Sequence, residues 1–190
     1  YRQKAFTSCA EDAPSIAQLA GRDVDAMVAA AKMLEAAGEC AAVDVNLGCP
    51  QRVARKGAYG AYLADDPALV ETIVSRLCRE CTVPVTAKMR VAGKDKVAQS
   101  IDFARMLERC GCQMITVHGR TREQVCIKDS PVDWHAIRSI VFATNPAQQR
   151  ATTSKHTTTK QTQAARPSAC LSWPTAASSA LTTPSVASSR

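Results

Sequence analysis

Residues 43–51 read VDVNLGCPQ, an apolar alternation that runs into Asn46 and is then stopped by Gly48, Cys49 and Pro50. Alternation over a few residues marks a strand, and a Gly/Pro pair breaks one. The strand therefore ends by presenting an amide and a thiol on a stiffened turn. Three other segments repeat the plan. Ser15–Ala20 is a short apolar run closed by Gly21. Residues 83–91, VPVTAKMRV, read as a strand, and Met114–Val117 is another, closed by His118-Gly119-Arg120.

Helical patterns fill the spaces between. Asp23 or Asp25 can cap a helix to about Ala37, with Met27, Ala30, Ala31 and Leu34 on one face and Gly38 as the stop. Asp66-Pro67 is an N-cap with a first-turn proline, and Val70, Ile73, Val74 and Leu77 form the stripe behind it. A helix from about Asp95 to Arg109 buries Val97, Ile101, Ala104 and Leu107, and Ser130-Pro131 opens another through Trp134, Ile137 and Ile140. Strands alternating with helices predict an α/β fold with a parallel sheet. All strands of such a sheet finish at one edge. Gln18, Asn46, Cys49, Lys88, Arg90, His118 and Arg120 are therefore expected to converge, as in a barrel active site or a doubly wound crevice.

Composition excludes several classes. Hydrophobic residues make up 46% of the 190, enough for a core, but no run reaches the ~18 needed to span a bilayer. The opening YRQKAFTSCAEDAP lacks the apolar core of a secretory signal, so secretion is not expected. The first residue is not Met, which fits a fragment or a processed product. The net charge of +7 is misleading as a sign of nucleic-acid binding. All 17 acids and 18 of the 24 basic residues lie within 1–133, so the excess belongs to the tail. Any such partner must meet local basic clusters. Nine cysteines, an odd number at irregular spacing, do not read as a disulfide scaffold. Cys78-x-x-Cys81 with Cys110-x-Cys112 has the wrong spacing for a zinc knuckle. Buried small thiols are the better reading, and no metal is expected. Residues 1–142 form the expected domain. Residues 143–190, rich in Thr, Ser, Ala and Pro, lack the apolar density to offset ordering entropy and are expected to be disordered.

DVNLGCPQRVARKGAYGAYL, VPVTAKMRV and CQMITVHGRTREQ resemble the tRNA-dihydrouridine synthases. Gln51-Arg52-Val53 is most similar to the eukaryotic branch acting on D-loop uridines 16 and 17. The resemblance covers roughly Phe6 to Ile140, about four βα units of a flavin-binding (β/α)8 barrel. It implies reduction of the C5=C6 bond of uridine in tRNA with FMN, recharged by NADPH or NADH. It implies that Cys49 donates the proton and that Gln18, Lys88 and His118 contact the flavin. Asn46, Arg90 and Arg120 are the substrate-side residues it leaves, and the expected compartment is cytoplasmic or nuclear.

The chemistry wants such groups. Hydride at C6 of uracil leaves negative charge on C5 and O4, and a proton must then reach C5. An ordinary thiol is protonated at neutral pH and is a fair acid when held in reach. Asn46 can fix the base or brace the loop. A lysine's point charge suits a ring that gains negative charge on reduction, and Arg90 offers a planar fork for a carbonyl or phosphate. Arg52, Arg55, Lys56, Arg120 and Arg122 border the same edge and suit an RNA backbone. Tyr59 and Tyr62 suit either base stacking or loop packing. Two other classes stay open: a catalytically silent fragment that at most binds RNA or a partner, and a different flavin barrel such as a dihydroorotate dehydrogenase relative. The NLGCPQ context weighs against the latter. No Gly follows Gly119, so a glycine-built phosphate cradle is not expected downstream.

Overall fold

The computed structural model describes residues 9–38, 40–125 and 130–144. Four strands, β1 (Ile16–Leu19), β2 (Ala42–Leu47), β3 (Val85–Arg90) and β4 (Met114–His118), form one sheet in the order β1-β2-β3-β4. Every pairing is parallel. Five α-helices accompany them: α1 (Val24–Ala36), α2 (Arg52–Lys56), α3 (Pro67–Glu80), α4 (Val97–Arg109) and α5 (Trp134–Thr144). The α/β class expected from the alternation is the one observed.

Local chemistry sets the helix ends. The Asp23 carboxylate accepts from the Ala26 N–H at 2.8 Å, and Gly38 beyond α1 takes φ +65°. Asp66 accepts from the Leu69 N–H at 3.2 Å with Pro67 in the first turn of α3. Such caps satisfy N–H groups that the helix itself leaves orphaned. The α3 stripe Val70, Ile73, Val74 and Leu77 is fully buried, and each side chain contributes about 1.5–3 kcal/mol. It packs with Val43, Val45 and Leu47 of β2 and Val85, Ala87 and Met89 of β3 into a single core. Helix α1 packs against α3, and α4 against α5.

One expectation is corrected. The last helix is not opened by Ser130-Pro131. It starts at Trp134, and the Asp133 carboxylate accepts from the Ala136 N–H at 2.9 Å. Asp133 is itself pinned, because its N–H donates to the Gly119 carbonyl at 2.7 Å. Residues 52–65, to which the sequence assigned no element, hold α2 and a 3₁₀ stretch, Gly60–Asp65. RVARK and GAYLAD show no apolar period, and tertiary packing of Ala54, Ala61 and Leu63 holds them in place. The tail expected to be disordered lies outside the described residues from 145 onward.

The helices cover only one face of the sheet. Ile16, Gln18, Ala42, Asp44, Asn46, Thr86, Lys88, Arg90, Met114, Thr116 and His118 alternate onto the other. On that face Ile16 is 44% and Met114 39% exposed. Parallel sheets are ordinarily covered on both faces; on this one Ala42, Asp44 and Thr86 are buried while Gln18, Lys88 and Thr116 are exposed, so among the described residues it is open at its margins and carboxyl rim. No described helix is long and apolar enough to cross a membrane.

Candidate active site

The register brings the chemistry to one rim. Asn46 is paired with Lys88, and Lys88 in turn with Thr116; Arg90 is paired with His118. Gln18 on β1 lies beside Asp44 on β2. Groups up to a hundred positions apart therefore share the carboxyl edge, because parallel strands all point the same way.

The turn after β2 is built around the Asn46 amide. Its Oδ1 accepts from the backbone N–H groups of Gly48 at 3.1 Å and Cys49 at 2.9 Å, and its Nδ2 donates to Gln18 Oε1 at 2.8 Å. Of the two roles open to Asn46, bracing the loop is the one the side chain performs. Gly60 backs the same turn. A Cβ there would come within 2.8 Å of the Cys49 carbonyl oxygen, and its φ is +64°. The Ala61 N–H donates to that same carbonyl at 3.0 Å. Sequence reasoning missed this platform; the signal was Gly60 itself, in a stretch without period.

Arg90 ties two loops together. Its Nε donates to the Gly48 carbonyl at 2.7 Å and its Nη1 to the Thr121 carbonyl at 2.8 Å. The planar fork expected to hold a substrate carbonyl or phosphate thus holds two backbone carbonyls. Arg120 donates through Nε to the Ser130 carbonyl at 2.6 Å, and its Nη1 lies 3.3 Å from His118 Nε2. A guanidinium only donates, so Nε2 is the acceptor and the imidazole proton sits on Nδ1. Partial burial, then the positive charges of Arg90, Lys88 and Arg120, hold the His118 pKa below its ordinary value. Burial and Arg120 likewise lower that of Arg90. The rim is therefore cationic around a neutral imidazole. Lys88 projects exposed into it with no ion pair among the described residues.

The outlying groups divide. Arg52, Arg55 and Lys56 are exposed on α2, and no acid among the described residues pairs with them. Arg122 is engaged by Asp65 at 2.6 Å and Glu123 at 2.9 Å, and lies over the Tyr62 ring at 5.2 Å. The Tyr62 hydroxyl donates to the Pro50 carbonyl at 3.1 Å, a loop-packing role. A cleft of about 480 Å³ between Leu47, Met89, Phe103 and Met106 lies on the helical side and shares Arg90 and Arg122 with the groups expected at the rim. At the opposite end of the sheet, burial first and neighbouring thiols next push Cys78 up to about 11. Burial likewise pushes Cys112 up to about 12. Among the described residues no group of three or more His, Cys, Asp or Glu side chains is arranged to hold a metal ion.

Fold and rim together define a parallel α/β protein of the kind that carries its reacting groups at the strand ends, with a cysteine on a braced turn, an exposed ammonium and a neutral imidazole at one edge of the sheet. The chain belongs to the dihydrouridine synthase family, whose profile matches residues 1–145. It is 41% identical over 142 residues to the tRNA-dihydrouridine(16/17) synthase [NAD(P)(+)] of Schizosaccharomyces pombe, covering 74% of this chain and 35% of that protein. The Saccharomyces cerevisiae protein of the same name is 38% identical over 141 residues, 73% of this chain and 32% of its own length. Similarity extends to tRNA-dihydrouridine synthase B of Yersinia pestis, 36% identical over 131 residues, 68% of this chain and 40% of that protein. The chain thus spans about a third of the length of these relatives.

Proposed function

We propose that this chain carries part, about four βα units, of the catalytic (β/α)8 barrel of a tRNA-dihydrouridine synthase. The reaction is reduction of the C5=C6 bond of uridine in tRNA, at D-loop positions 16 and 17. FMN is the bound cofactor and NADPH or NADH the reductant, in the cytoplasm or nucleus. Family membership and the names of the relatives support this reading. The observation that carries it is the Cys49 turn, held by Asn46 at the same rim as Lys88 and His118.

The donor set fits a flavin ring. Gln18 and Asn46 offer amide N–H groups, Lys88 a cation for the side that gains charge on reduction, and neutral His118 an N–H on Nδ1. When bound, the flavin supplies the hydride. The rest falls to side chains of this chain. Asn46 and Gly60 hold Cys49 against drift, and the thiol proton moves to C5 of the base. The positive rim stabilises charge developing on the uracil carbonyl. Reaching this edge requires the uridine to leave its stack, and Arg52, Arg55 and Lys56 hold the RNA backbone beside it.

The test is Cys49→Ala in a synthase-deficient strain, with dihydrouridine at positions 16 and 17 measured by mass spectrometry and flavin content by absorbance. The expected outcome is loss of dihydrouridine with flavin content unchanged from the parent. Equal dihydrouridine from mutant and parent refutes the assignment. A parent that makes none, yet retains tRNA until Arg52, Arg55 and Lys56 are replaced, supports the RNA-binding alternative.

A further inference from the structure

Asp44 has no part in the reaction above, yet it is the one buried charged side chain among the described residues, 7% exposed. Val43 and Val45 on either side face the helical core, while Asp44 lies on the other face of the sheet between Gln18 of β1 and Thr86 of β3. Burying a carboxylate is expensive unless it is paired or hydrogen-bonded. No cation bonds it among the described residues, and two neutral donors do. Thr86 Oγ1 donates to Oδ1 at 2.7 Å and Gln18 Nε2 to Oδ2 at 2.6 Å.

An ionised carboxylate can only accept. Gln18 must therefore turn its Nε2 towards Asp44, which directs its Oε1 to Asn46 Nδ2 at 2.8 Å. Asn46 in turn is left with Oδ1 for the N–H groups of Gly48 and Cys49. Reversing the Gln18 amide would set two acceptors against each other at 2.6 Å. Every donor in the two arms, Thr86 on one side and Cys49, Asn46 and Gln18 in series on the other, points toward the Asp44 carboxylate, which sets their polarity.

We propose that Asp44 is the positioning residue of this site. Through Gln18 it fixes the polarity of Asn46, and through Asn46 it holds the turn that carries Cys49. Resting on the function proposed above, the same device selects the ligand edge. Each amide keeps one N–H without a partner among the described residues, and both amides stand at the open face. The groups that meet them must be acceptors.

The test needs no ligand. Backbone hydrogen exchange is followed by NMR in the parent chain, Asp44→Asn and Gln18→Met. Asn at 44 is nearly the same size but tolerates either orientation of Gln18. Exchange of the Gly48 and Cys49 amides is expected to rise about fivefold to tenfold in both variants, with the ladder amides of Val45 and Ala87 at the parental rate. Unchanged turn amides, or an equal rise at all four positions in both variants, overturns the proposal. If the turn loosens as stated and no dihydrouridine is made, the positioning role stands and the synthase reading falls.

Discussion

Replacing Arg90 separates a loop clamp from a ligand fork. The guanidinium donates to the Gly48 carbonyl at 2.7 Å and the Thr121 carbonyl at 2.8 Å, so β3 staples the turn after β2 to the turn after β4. Hydrogen bonds from a charged donor contribute about 1.5–3 kcal/mol each, and a half-buried pair falls at the low end. Arg90→Met should therefore destabilise the chain by about 3 kcal/mol and Arg90→Lys by about 1.5, since one ammonium cannot reach both carbonyls. With a urea slope of about 2 kcal/mol/M, the midpoints should fall by about 1.5 M and 0.75 M at unchanged slope. Far-UV circular dichroism follows the transition. Because Arg90 is one of the charges holding His118 down, Arg90→Met should also raise the His118 titration midpoint. If Arg90→Lys unfolds at the parental midpoint, the planar fork is not what joins the loops.

Gly60→Ala places a methyl within 2.8 Å of the Cys49 carbonyl at a positive φ. It should destabilise by about 1–3 kcal/mol and shift the Cys49 amide resonance, while Ala64→Gly nearby should not move that resonance. For His118 the folded pKa lies below the unfolded one, so the folded chain binds fewer protons. Its contribution to stability is present above the ordinary histidine value of ~6.5 and is lost as pH falls through that value towards the folded pKa. An NMR titration midpoint above 6.5 would contradict the cationic rim. In peptide-resolved alkylation at pH 8.5, Cys78, at about 11, holds ~150-fold less thiolate than an ordinary thiol. The greater nucleophilicity of a basic thiolate recovers about tenfold. Cys78 should thus react about tenfold more slowly in the folded chain than after unfolding in urea, and equal rates would refute its burial.

Much of this molecule was legible in its residues. Period-2 and period-3.6 patterns placed all four strands and the helices at Val24–Ala36, Pro67–Glu80 and Val97–Arg109 within a few residues, because each buries a stripe that repeats at its own pitch. Convergence of Asn46, Lys88 and His118 followed from topology alone. Partners were another matter. Gln18 and Thr86 lie 26 and 42 positions from Asp44, and only the register makes them neighbours, so nothing local in VDVN marks the carboxylate. Arg90 offered a fork, but what would fill it depended on two loops whose paths no local pattern specified. Asp133 displaced Ser130 as the last cap because the Gly119 carbonyl anchors it from outside the helix.

The uncovered side of the sheet has an electrostatic consequence. An anion about 4 Å from the Lys88 ammonium gains about 1 kcal/mol in bulk water and about 4 kcal/mol where the effective dielectric constant is near 20. On a face lapped by solvent the former figure governs, and ions in the buffer screen it further over a Debye length of about 8 Å. Alignment of these groups is thus a property of the strands, whereas their strength is a property of whatever displaces water from above them.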